Sequence, residues 1–168
     1  MDKLLIQNAR VYQNGQFVRA DVLCGDALIA KIGENLTDGE ARVIQADGLR
    51  LVPGFIDVHT HGAAGVDVNA ADEAGLRKIA AFFATQGVTA FNASVLTDTP
   101  ETTEKCLGAI ANVMSDRGMG AQLLGAHLEG PFLAKEYKGA MPEALLREAD
   151  AVGYGGGFAV VISIDGGT

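Results

Sequence analysis

The stretch Leu51-Val-Pro-Gly-Phe-Ile-Asp-Val-His-Thr-His-Gly-Ala-Ala-Gly-Val-Asp67 decides how this chain is read. Before it the sequence breaks into short alternating segments, and after it apolar runs alternate with helical periodicity. Gly54 to His59 is predicted as a buried-type strand, and it closes on His59 and His61. Side chains alternate along a strand, so both imidazoles leave on one face. Two neutral nitrogens a few ångströms apart make half of a metal site. The competing reading is a pair of hydrogen-bonded surface histidines. Asp57 reads either as a carboxylate supporting one of these ligands or as an ordinary strand-end acid.

Downstream, Asp72 to Gln86 carries Leu76, Ile79, Ala80 and Phe83 at helical spacing, with Asp72 as N-cap and Gly87 as the stop. Val88 to Val95 is the next strand. Thr99 caps a second helix that opens on Pro100 and runs to about Arg117, before Gly118. Gln122 to Leu128 is a third strand. Strand, helix, strand, helix, strand implies two βαβ units and a parallel sheet. Such a run opens either a doubly wound sheet or a (β/α)₈ barrel.

The third strand leads into His127-Leu-Glu-Gly-Pro-Phe132. A carboxylate leaving an apolar strand must be solvated, paired or metal-bound. Glu129 and His127 share a face by alternation, and they lie on the sheet edge predicted to carry His59 and His61. Ligands bind at that edge in α/β folds. Glu129 is therefore read as a metal ligand. His127 is open between ligand, support for a ligand, and a substrate-side role.

Upstream, residues 1–53 read as a small antiparallel β unit. Its strands are Leu4 to Tyr12, Phe17 to Cys24, Ala27 to Ile32, Val43 to Ala46 and Leu49 to Val52, and Asn14-Gly15 is a hairpin signal. Residues 151–168 change texture again: six of the 18 are glycine, with Tyr154 to Gly157 loop-like and Phe158 to Ile164 strand-like. The 168 residues are 48% hydrophobic and 20% charged, a globular composition, with a formal net charge of −8. That balance, without a Lys/Arg cluster, argues against nucleic acid or an anionic membrane as partner. There is no secretory leader pattern and no apolar run of the roughly 20 residues a bilayer needs. Cys24 and Cys106 are far apart and read as isolated buried thiols of a cytoplasmic protein.

The segment from Leu51 to Asp67 resembles the first barrel strand of the amidohydrolase superfamily. Gly125-Ala-His-Leu-Glu-Gly-Pro-Phe132 narrows the resemblance to the N-acetylglucosamine-6-phosphate deacetylases. The stretches Phe83 to Phe91 and Lys135 to Pro142 match as well. The resemblance covers about residues 1–150 and implies an α/β fold, the N-terminal part of a metal-dependent amidohydrolase. Residues 1–53 would be a partial β-sandwich. Residues 54–150 would be the first βαβαβ of an incomplete TIM-like (β/α)₈ barrel, followed by an atypical tail at 151–168.

By resemblance, Glu129 binds the catalytic divalent ion, and His59 and His61 match the pair that holds a second ion in two-metal members. Zinc is the leading candidate, with iron, manganese or cobalt behind it, as one or two ions per site. Ala140 and Met141 match loop positions that contact the sugar. The implied partner is a small amino-sugar phosphate, and the implied assembly is a homodimer. The family is more than twice this length. Two further histidine ligands and the catalytic aspartate lie later in it, so no catalytic residue is expected within this chain, and Asp165 does not stand in for one. Asn69, Asn92 and Ala93 depart from the pattern. A truncated or frame-shifted reading frame would account for the tail, and the isolated chain is expected to be inactive. Two other readings are a cyclic-amide amidohydrolase resembling dihydroorotase and a non-catalytic metal-binding fragment.

Overall fold

A computed structural model describes residues 3–26 and 28–148, together with the backbone of Val160–Ser163. The chain divides between Pro53 and Gly54 into two compact units.

The first unit is one five-stranded sheet. Its strands are β1 (Leu4–Gln13), β2 (Gln16–Gly25), β3 (Leu28–Gly33), β4 (Arg42–Gln45) and β5 (Arg50–Leu51), ordered β3-β2-β1-β4 with β5 also on β1. The hairpin turn falls on Asn14 and Gly15, both at positive φ (50° and 84°), as such a two-residue turn requires. The unit is not wholly antiparallel as expected: β4 and β5 run parallel to β1. After β3 the chain crosses back through residues 34–41 and enters beside β1 in the same direction. Alternation marks a strand but says nothing of its direction. The buried Asp21 carboxylate ties this return. Its Oδ1 accepts the Asn8 amide at 2.7 Å, within the bulge of β1, and its Oδ2 accepts the Leu36 amide at 2.9 Å. The small core is Ala9, Val11, Ala20, Val22 and Ala46. Cys24 is half-buried rather than buried, while Cys106 in the second unit is buried as expected. Ala27 lies outside the described residues.

The second unit is built from β6 (Phe55–Thr60), β7 (Gly62–Ala63), β8 (Val66–Asp67), α1 (Glu73–Thr85), β9 (Val88–Leu96), α2 (Pro100–Met114), β10 (Gln122–Glu129) and β11 (Val160–Ser163). Its four-stranded sheet has the order β11-β10-β9-β6 with parallel pairing throughout, and β7-β8 is a small hairpin. The helix signals were local and held. The Asp72 side chain accepts the Gly75 amide, and the Thr99 side chain accepts the Thr102 amide ahead of Pro100. The second helix ends at Met114 rather than Arg117. The Met114 carbonyl is taken by Gln122 Nε2 at 2.8 Å and Arg117 Nη1 at 3.3 Å, side chains replacing the next helical amides. Leu76, Ile79, Ala80 and Phe83 of α1 pack with Cys106, Leu107, Ile110 and Val113 of α2 against Phe91, Ala93, Val95, Leu123, Ala126 and Leu128 of the sheet.

β6 departs from expectation. Phe55, Ile56 and Val58 are 63%, 62% and 62% exposed, not buried. Among the described residues β6 is an edge strand that pairs only with β9 in its sheet. Of the strand expected at Phe158 to Ile164, Val160–Ser163 pairs with β10. Its ends and the glycine-rich stretch before it lie outside the described residues. No described helix is long and apolar enough to cross a membrane.

Candidate metal centre

The parallel sheet brings the ends of β6 and β10 to one edge, on either side of β9. His59 near the end of β6, His61 just past it and Glu129 at the end of β10 converge there. His61 Nε2 is 2.9 Å and His59 Nε2 3.6 Å from Glu129 Oε2, and the two Nε2 atoms are 3.1 Å apart. Four ligands at 2.0–2.1 Å around a tetrahedral ion would be spaced by roughly 3.3 Å, so the three atoms match one face of such a shell.

The donor set has a gap that a cation would fill. His61 Nδ1 lies 3.3 Å from the Ser94 carbonyl oxygen. That oxygen only accepts, so the bond puts a proton on Nδ1, and in the neutral imidazole Nε2 is then left with a lone pair. The lone pair faces Glu129 Oε2, a buried oxygen that accepts no hydrogen bond. Two acceptors pointed at each other across 2.9 Å are costly unless a proton or a metal ion lies between them.

The remaining predicted residues fall around these three. Asp57 Oδ1 accepts the backbone amide of His59 at 3.1 Å, so Asp57 steadies that ligand through its main chain and not its ring. His127 is buried on β10, and its Nδ1 meets the Ser94 hydroxyl at 2.9 Å. Its ring lies 4.8 Å from that of His59, and it stands outside the convergent set. Ala140 and Met141 follow the 3-10 turn Lys135–Tyr137; Ala140 is exposed and Met141 buried. The Met141 carbonyl accepts Lys138 Nζ at 2.9 Å, which fixes this loop locally.

Sequence reasoning missed the role of β9. Ser94 is fully buried and meets both His61 and His127. Asn69, noted only as a departure, accepts the Leu96 amide at 2.8 Å and donates to the Leu96 carbonyl at 3.2 Å. Its carboxamide thus substitutes for a neighbouring strand where β6 has ended. Thr97 then donates to the Glu129 carbonyl at 2.9 Å. The only advance signal was a hydroxyl and carboxamides in apolar surroundings, which must find partners.

The 155 residues matched to the mouse N-acetylglucosamine-6-phosphate deacetylase are 39% identical and cover 88% of this chain. This chain is homologous to part of an N-acetylglucosamine-6-phosphate deacetylase. It spans 37% of the mouse protein's length. The deacetylase of that name from Pasteurella multocida superposes on 89% of the chain and 40% of its own with a TM-score of 0.80; at 22% identity, that likeness speaks for the fold. A D-hydantoinase structure gives a TM-score of 0.54 at 30% identity, over 79% of this chain and 27% of that one. The superposition on the D-hydantoinase is the weaker of the two. No family model matches the chain.

Proposed function

We propose that this chain supplies part of the metal site of a deacetylase that hydrolyses the acetamide of N-acetylglucosamine 6-phosphate to glucosamine 6-phosphate and acetate. The setting would be amino-sugar catabolism in the cytoplasm, with a dimer as the assembly. Residues 54–150 read as the opening of a (β/α)₈ barrel. Glu129, His59 and His61 would hold the ion, zinc before iron, manganese or cobalt. The three donors converge on one point, so Glu129 could be shared if two ions bind. A divalent ion there supplies Lewis acidity toward water and toward an amide carbonyl.

The chain's own residues hold and orient. Ser94 and Asp57 keep the histidines aimed, Thr97 fixes the backbone of Glu129, and the loop at Ala140 and Met141 is the proposed sugar contact. The resemblance implies that the aspartate moving protons in the family lies beyond the matched residues, so these 168 residues alone are expected to give no turnover. The observation that carries the reading is the buried, unbonded Glu129 Oε2 facing an imidazole lone pair.

A chimaera tests it. Residues 1–147 replace the matching portion of the mouse deacetylase, and acetate release from N-acetylglucosamine 6-phosphate is measured. Release that disappears with Glu129→Gln is expected. A folded, metal-loaded chimaera without activity would overturn the proposal.

A further inference from the structure

We propose that Ser94 is a positioning residue that sets both histidines of the β6 pair from the neighbouring strand, an inference that rests on the metal reading above. Ser94 is fully buried on β9, between β6 and β10. It reaches the site by two arms. Its carbonyl oxygen accepts a hydrogen bond from His61 Nδ1 at 3.3 Å. Its hydroxyl meets Nδ1 of His127, its register partner on β10, at 2.9 Å. The His127 ring lies 4.8 Å from the His59 ring, tilted by 49°. One residue therefore holds His61 directly and His59 through His127.

The chemistry of a histidine ligand calls for such a residue. An imidazole binds metal through one nitrogen and must have the other held, or the ring turns and the wrong tautomer faces the ion. Among the described residues β6 is an edge strand whose apolar residues are open to solvent, and its own Asp57 holds only the His59 backbone amide and not a ring. The orientation has to come from the next strand, and Ser94 is where β9 provides it. The two arms are chemically distinct. The carbonyl is an acceptor only, so it selects the His61 tautomer with a free Nε2. The hydroxyl both donates and accepts, so it can hold His127 Nδ1 in either protonation pattern and fix the ring that walls His59. Removing the side-chain oxygen cuts only the second arm.

The test uses Ser94→Thr and Ser94→Val in the whole chain, two β-branched replacements of one shape that differ in the hydroxyl. Zinc affinity is expected to stay within about twofold of wild type for Thr and to fall about tenfold for Val, the usual scale for loss of a group that orients a ligand. Nitrogen-15 spectra of the metal-free imidazoles are recorded at pH 8, above the ordinary imidazole range. His61 should keep its Nδ1–H form in all three proteins. The His127 Nδ1 resonance should move in Val alone. If neither replacement folds, His127→Phe keeps the ring but cannot bond Ser94, and it should cost zinc affinity by the same factor. Thr and Val behaving alike, or His127→Phe binding as wild type, would overturn the inference. Absence of zinc binding in wild type would defeat the metal reading instead, and the imidazole spectra would still decide the role of Ser94.

Discussion

β6 and β9 are neighbours in one sheet, and each is an apolar run interrupted by polar residues. In the fold they are opposites. β9 lies between β6 and β10 and is buried from Phe91 to Val95, whereas Phe55, Ile56 and Val58 of β6 face solvent. β6 and the residue just past it deliver two candidate ligands, whereas β9 and Thr97 just past it deliver none but support all three. His61 leans on the Ser94 carbonyl, His59 on the ring that the Ser94 hydroxyl holds, and Glu129 on the Thr97 hydroxyl. Apart from Asp57, which holds the His59 amide from β6 itself, the support comes from a strand other than those that deliver the ligands, and mutations should separate the two.

The largest expected difference is in stability. Phe91 is wholly buried and meets the Phe83 ring edge-on at 5.1 Å. Phe91→Ala should cost about 3–5 kcal/mol, the range for emptying a buried aromatic site. Phe55→Ala on the edge strand should cost no more than about 0.5 kcal/mol. Denaturant midpoints of the two variants check this, and equal losses would erase the distinction between the strands.

Gly130→Ala sharpens it at the site. Gly130 has φ +95°, and an added Cβ would come within 2.0 Å of Thr97 Oγ1. The substitution must strain the backbone and push Thr97 off the Glu129 carbonyl. We expect a loss of about 2 kcal/mol, within the range for a residue forced into a sparsely populated conformation. Zinc affinity should fall as well. Retention of both, by melting and metal titration, would show that Thr97 does not hold Glu129.

The smallest effect reports on the cover over β9. Burial, with the Asp98 charge adding to it, raises the Cys106 thiol above its ordinary range. Its Sγ donates to the Asn69 carbonyl at 3.2 Å. The native state keeps this proton at a pH where the unfolded chain has released it. The contribution to stability is therefore whole below the unfolded thiol range and declines as pH rises above it. Urea midpoints should fall further between pH 8 and pH 10 for wild type than for Cys106→Ala.

Much of this organisation was legible because its signals are local. Asp72, Thr99 and Pro100 mark helix starts by chemistry that acts within a turn, and the alternation around His59 and His61 needs only one strand. What escaped depended on distant partners. The parallel entry of β4 beside β1 is set by a crossover tied to Asp21, 15 residues from Leu36 and 13 from Asn8. The exposure of β6 follows from having one neighbour among the described residues, which no stretch of six residues encodes. Ser94 looked like a minor interruption of an apolar strand, since its partners are each 33 residues away. Glu129 and the histidine pair were found from their strand-end positions, but their convergence to within one ion's reach is a property of the assembled sheet.

The claim on which the rest depends is that β6 and β10 bring their three donors to one cation. Equilibrium zinc binding should be measured on the 168-residue chain beside a His59→Ala/His61→Ala/Glu129→Gln variant, with circular dichroism to show that both are folded. The account predicts weak binding of one ion by wild type, weak because three ligands do not close a four-coordinate shell, and none by the variant. Equal zinc in the two proteins would contradict it.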